Sequence, residues 1–234
     1  MPAALVTGAA SGIGKAAAER LRAEGYDVLG FDVEDGDLTT REGNERAVAV
    51  ALDAFGRLDV VVANAGIQHV APVKDFPDDR WDAVVALLLT SPFLLAKHAW
   101  DALAASGAGR FIVVASVHAL VASPYKAAYV SAKHGVLGLV KTLALEGGEA
   151  GITATAVCPG YVRTPLVEGQ LADQARTHGV SEERVLEDVI LQPHAVKRLI
   201  EPDEVAGVIA FLAGPGGAAF SGVPVTMDLG WSAR

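Results

Sequence analysis

The sequence predicts a doubly wound α/β domain, a parallel sheet with helices on both faces. Three observations lead there. Short apolar, β-branched runs alternate with longer alanine-rich segments of helical period, the signature of parallel βαβ units. A glycine-rich turn joins the first such run to the first helical segment. The chain has 234 residues, 51% of them hydrophobic, which suits one continuous core and rules out disorder.

The elements follow in order. Residues 3–7 are an apolar run that ends at glycine, and the first helix is expected over 12–24. Strands are then expected at 27–32, 58–63, 109–115, 152–157 and 223–227. Most read as unbroken apolar stretches, as strands covered on both faces do. Helices are expected at 41–55, 78–105, 127–147 and 203–213. No repeat, low-complexity tract or linker divides the chain, so residues 1–234 read as one domain.

Two stretches depart from this alternation. Only "VEDG" separates Asp32 from Asp37, where a doubly wound fold usually has room for a further helix and strand, so the region reads as trimmed. Residues 165–197 are instead polar, charged and loosely periodic, an excursion expected to act as a lid over a site.

The formal charge of −9 argues against a nucleic-acid partner, which requires a basic surface to neutralise phosphates. The single cysteine, Cys158, fits a reducing compartment. The start, "MPAALVTGAASG", lacks the basic and apolar regions of a signal peptide, so a cytoplasmic location is expected. The apolar stretch "AVVALLLTSPFLLAKHAW" contains Thr90, Ser91, Pro92 and Lys97 and reads as a core helix, with no membrane expected.

In "VTGAASGIGKAAAERL", Gly8, Gly12 and Gly14 lie between a strand and a helix. Glycine allows the tight turn and lets backbone N–H groups approach a pyrophosphate at the helix N-terminus. A glycine cluster alone is a weak signal; opening a βαβ unit is the context that gives it meaning. Asp32 closes the second strand, where a carboxylate accepts from a ribose hydroxyl and repels a 2′-phosphate. No Lys or Arg precedes Gly12 in the loop, so the expected cofactor is NAD rather than NADP.

The stretch "SVHALVASPYKAAYVSAKHG", Ser116 to Gly135, holds two tyrosines, two histidines and two lysines and no carboxylate. Tyr129 and Lys133 stand four apart, on one helix face. A phenol near pKa ~10 is a poor base at neutrality, and a fixed ammonium nearby favours the phenolate. Tyr129, Lys133 and Ser116 are therefore the expected catalytic group, with Ser116 holding the reacting oxygen.

Thr7-Gly8-x-x-x-Gly12-x-Gly14, Asn64-Ala65-Gly66, Ser116, Tyr129-x-x-x-Lys133 and Pro159-Gly160-x-x-x-Thr164 together resemble the short-chain dehydrogenase/reductase superfamily, in its order and over nearly the whole chain. That resemblance implies a Rossmann-like domain with a seven-stranded parallel sheet and a homotetramer built through the two long helices. It extends the NAD-binding set to Thr7, Ser11, Ile13, Asp37, Leu38, Asn64, Ala65 and Gly66. From the catalytic helix onward it adds Tyr129, Lys133, Pro159, Gly160, Val162 and Thr164. No metal is expected.

Within the superfamily, "NAGIQHVAPVKDFPDDRWDAV", "CPGYVRTPLVEGQ" and "DLGWSAR" look like the bacterial D-3-hydroxybutyrate dehydrogenases. The resemblance implies that Gln68, His118, Lys126 and Gln170 hold a substrate carboxylate and that Trp231 closes a small pocket. Tyr161 stands where that group has tryptophan, so the aromatic wall gains a hydroxyl. Leu88 stands where the superfamily has asparagine; Asn44 and Asn64 are the only asparagines in the chain. The expected reaction is NAD-dependent oxidation of a small anionic hydroxy acid, (R)-3-hydroxybutyrate, to acetoacetate. The alternatives are another hydroxy acid, a 3-hydroxyacyl thioester, or a catalytically impaired NAD-binding protein.

Overall fold

The computed structural model describes residues 1–169, 175, 179–181 and 184–233. Its frame is a parallel sheet in the order β2-β1-β3-β4-β5-β6. The strands are β1 (Ala3–Thr7), β2 (Asp27–Phe31), β3 (Val60–Ala63), β4 (Arg110–Val114), β5 (Thr153–Pro159) and β6 (Pro224–Met227). The registers Val6↔Gly30 and Val6↔Val62 place β1 between β2 and β3. The chain thus winds outward from β1 in one direction and then in the other. Ligands in such sheets bind at the carboxyl ends of the strands, at this reversal.

Among the described residues the sheet has six strands, not seven. The missing one is the strand that would flank β2. Only 32–40 lie between β2 and the next helix, and they close on themselves: Asp35 and Gly36 N–H donate to the Asp32 carbonyl, and Thr40 N–H to the Asp37 carbonyl. A strand–helix–strand crossover needs at least about ten residues, so the trimmed loop leaves β2 as an edge.

Helices cover both faces. α1 (Gly12–Ala23) and α7 (Pro202–Ala213) pack one side, over Ala4, Val6, Val62 and Ile112. α2 (Arg41–Phe55), α4 (Ser91–Ala105) and α5 (Ala127–Gly147) pack the other, over Leu5, Val61, Phe111 and Val113. Alternate residues of β1 and β3 enter opposite clusters, which is why those strands read as apolar throughout. Thr40 caps α2 by accepting from Gly43 N–H, and Gly56 ends it in the left-handed conformation.

The long helix expected over 78–105 is interrupted. α3 (Asp78–Val85) passes through one π-helical turn, Ala86–Thr90, before α4 resumes. Such turns insert one residue into the ladder and often mark functional segments. By length and composition Asp78–Ala105 could cross a membrane, yet its α4 part packs against α2 and its α3 part against α5. The short helix α6 (Pro165–Glu168) lies beyond β5. The segment expected to form a lid falls partly outside the described residues. Its described part includes Val185 and Ile190, which pack with Tyr161 and Leu199.

Candidate active site

A cleft of about 520 Å³ opens at the carboxyl ends of β1, β3, β4 and β5. The glycine turn forms one end. Gly8 and Gly12 take positive φ, and a Cβ on Gly14 would collide with the Gly8 carbonyl and the Asn64 amide. Ser11 makes no side-chain cap to α1, so the first N–H groups of the helix lack that partner. This cradle fits the diphosphate of a dinucleotide, since backbone N–H groups and the helix dipole both favour an anion there.

Of the residues expected to bind the cofactor, all but two line the cleft. The exceptions, Thr7 and Gly14, act beneath it. Thr7 Oγ1 accepts from Asn64 N–H at 3.0 Å and Ala65 N–H at 3.1 Å, tying β1 to β3 under the cleft floor. Asn64 Nδ2 donates to the Thr7 carbonyl at 2.9 Å. Asp32 follows β2, and its carboxylate accepts from Ala10 N–H and Val33 N–H, both at 2.8 Å. Those two bonds aim it across the glycine turn and leave lone pairs for ribose hydroxyls.

Ser116 ends the β4 segment and Tyr129 stands on α5, both on the cleft wall. The Ser116 hydroxyl accepts from His118 N–H at 3.1 Å. Burial pushes the Tyr129 phenol up to about 12, and the neighbouring Ser116 hydroxyl opposes that rise. Lys133 is pushed down to about 8 by burial. The expected lowering of the phenol by Lys133 is therefore corrected. The ammonium stands 5.5 Å from the ring centre and donates to the Val114 carbonyl at 2.8 Å.

A second group of side chains adjoins this wall. His118 is 4% exposed, with Nδ1 3.3 Å from Ser116 Oγ and Nε2 3.0 Å from Ser123 Oγ. Burial first, and then Lys126, push its pKa down to about 3, so the imidazole is neutral. Lys126, also 4% exposed, donates to Tyr161 Oη at 2.8 Å, and burial pushes it down to about 8. The His118 ring lies 5.1 Å from Trp231 and 5.8 Å from Tyr129, centre to centre. The amide nitrogen of Gln68 is buried with no hydrogen-bond partner among the described residues. Gln170 lies outside the described residues.

Sequence reading missed four contributors. Ser123 binds the far nitrogen of His118. Leu166 and Val167 of α6 line the cleft. His194 is buried, stacks on Trp231 at 6.1 Å and packs on Tyr161 at 6.0 Å. Its ring nitrogens meet no partner at hydrogen-bond geometry among the described residues; the Ile190 carbonyl favours the charged form without reaching it. Nothing around "QPHAV" signals that position, because the chain must fold back beside Gly160 to bring it there.

Leu88 sits in the π-helical turn, 1% exposed, packed with Val84, Ala128 and Ala132. The polar amide implied for this position is thus replaced by an apolar plug against α5.

A family profile described as enoyl-(acyl carrier protein) reductase matches residues 31–232. The chain is 41% identical to the D-beta-hydroxybutyrate dehydrogenase of Rhizobium meliloti (strain 1021), over 99% of this chain and 98% of that one. It is 38% identical to the enzyme of the same name from Cupriavidus necator, again over 99% and 98%. The crystal structure of gox2181 superposes with a TM-score of 0.90 at 28% identity, covering 100% of this chain and 96% of that one.

Proposed function

The chain belongs to the short-chain dehydrogenase/reductase family and is an oxidoreductase, and on that premise we propose that it interconverts (R)-3-hydroxybutyrate and acetoacetate with NAD. The carrying observation is Lys126: a buried ammonium with no ion-pair partner among the described residues, beside the Ser116–Tyr129 wall. A buried cation is costly unless something neutralises it, and a substrate carboxylate does so. The two relatives named for this activity support the same reading.

Bound along the cleft, NAD would supply the hydride acceptor, with Asp32 at its ribose and the glycine cradle at its diphosphate. The protein's own residues do the rest. Tyr129 Oη takes the hydroxyl proton as the alcohol is oxidised and returns it in the reverse direction. Ser116 Oγ holds the reacting oxygen, and Lys133, anchored on the Val114 carbonyl, keeps its ammonium 5.5 Å from the Tyr129 ring centre. Neutral His118 donates or accepts one hydrogen bond at the pocket wall. Lys126 and Gln68 take the carboxylate, and Trp231 with Tyr161 limits the chain length. A 3-hydroxyacyl thioester offers no carboxylate to Lys126, which counts against that alternative.

The assembly we infer is a cytoplasmic homotetramer through α4 and α5, whose outer faces leave Phe93 and Leu145 exposed.

Absorbance of the reduced nicotinamide, followed with NAD and each enantiomer of 3-hydroxybutyrate, tests the proposal. Turnover of the (R) acid is expected. Turnover of a neutral secondary alcohol with none of the acid would overturn it.

A further inference from the structure

We propose that Tyr161 is a positioning residue for the anionic end of the substrate, its hydroxyl fixing the Lys126 ammonium beside the Ser116–Tyr129 wall. The inference rests on the hydroxy-acid reading given above and deepens it.

Lysine is a poor fixed point. Its four-carbon stem is flexible and its ammonium has no preferred direction. Here Nζ donates to Tyr161 Oη at 2.8 Å while lying 4.8 Å from the ring centre, so it sits off the hydroxyl rather than on the ring face. An ammonium carries three N–H donors, so this bond leaves two for a carboxylate. Substrate can therefore join the Tyr161 contact without displacing it.

The acceptor is itself held on all sides. Tyr161 follows β5, and its carbonyl accepts from Ile200 N–H at 2.9 Å. Its ring lies 6.0 Å from both Trp231 and His194 and 6.5 Å from His118. Val185, Ile190 and Leu199 pack with it. A fixed acceptor orders the lysine before substrate arrives, so less of the binding energy goes into ordering it.

The titratable groups around this pocket come from four elements. They are His118 after β4, Tyr129 on α5, Tyr161 after β5 and His194 before α7. His134 on α5 also acts on His118. Among the described residues none of these is a carboxylate. Asp228 interacts with His194, and its oxygens accept from Gly230 N–H, Ser232 N–H and the Ser232 hydroxyl. The Tyr161 hydroxyl is thus the polar partner that steadies the ammonium, and burial alone already pushes Lys126 down to about 8.

The test compares Tyr161→Phe and Tyr161→Trp with the unmodified enzyme. Both keep an aromatic wall and lose the acceptor at this position. For the acid, KM is expected to rise about threefold to tenfold with kcat changing far less, while KM for the methyl ester stays within about twofold. The alkaline rise in KM for the acid should begin at lower pH in both variants, because the ammonium has lost its acceptor. NMR of the lysine ε-carbons, with the Lys126 signal assigned by its loss in Lys126→Arg, should show a lower Lys126 pKa in Tyr161→Phe. Unchanged KM for the acid with unchanged Lys126 titration would overturn the proposal. So would equal KM increases for acid and ester, which a simple loss of wall shape would produce. If the Lys126 titration shifts but the unmodified enzyme oxidises no hydroxy acid, the positioning role stands and the substrate assignment fails.

Discussion

Lys133 gives its hydrogen bond to the Val114 carbonyl at 2.8 Å, not to Tyr129, whose ring centre is 5.5 Å away. Lys133 is anchored to the strand below it. With burial raising the phenol to about 12, Tyr129 is protonated at neutrality and suited first to the acid role, giving a proton to a ketone. Tyr129→Phe keeps the ring and removes the proton. Turnover should fall by about a hundredfold or more in both directions, the scale of general acid–base catalysis. Cofactor affinity, measured by fluorescence titration, should change little. A variant that keeps most of its activity would place the acid–base group elsewhere.

Cofactor choice should follow Asp32. Its carboxylate is held across the glycine turn by Ala10 and Val33, so a 2′-phosphate would meet a fixed negative charge. The unmodified enzyme should prefer NAD, and Asp32→Ala should narrow that preference. Comparing kcat/KM for the two dinucleotides decides it, and equal or better efficiency with NADP in the unmodified enzyme would contradict the assignment.

Lys126 supplies the pocket's fixed charge. Lys126→Ala should cost roughly 2–4 kcal/mol in transition-state binding of the acid. That is about thirty- to a thousandfold in kcat/KM, with a small effect on the methyl ester. The pH dependence has a definite sign. Lys126 is charged below its folded pKa of about 8 and neutral above it, so KM for the acid should rise as pH passes that value. An equal loss on acid and ester in Lys126→Ala would mean that the lysine supports the entry to α5 instead.

Leu88 separates packing from proton exchange. Leu88→Asn puts an amide into a site lined by Val84, Ala128 and Ala132, at a cost of roughly 1–3 kcal/mol. The melting temperature should fall by about 2–10 °C, with the fold retained and turnover unchanged or modestly raised. An inactive unmodified enzyme rescued by this substitution would instead support an impaired NAD-binding protein.

Most of the sheet was legible because its strands are local facts. Short apolar runs such as Val60–Ala63 after Asp59, with up to three β-branched residues together, read as buried strands wherever they sit. The glycine turn, Asp32, Ser116 and the Tyr129–Lys133 spacing were legible for the same reason, since each depends on residues a few positions apart. The strand missing beside β2 left its trace as a shortened loop. The superfamily resemblance implied seven strands, although "VEDG" already lacked the length for another.

The pocket's working order was decided by tertiary structure. Tyr161 lies 35 residues from Lys126, and no spacing rule joins them; the ends of β4 and β5 bring them together. His194 reaches Trp231 because the segment before α7 folds back beside Gly160. The rise of the Tyr129 pKa is likewise nonlocal, since it comes from the apolar shell that excludes water from the phenol. Sequence alone determined which chemical groups this protein has and on which elements they stand. Burial and long-range contact, which depend on the whole packed sheet, determined their charge states and what each one holds.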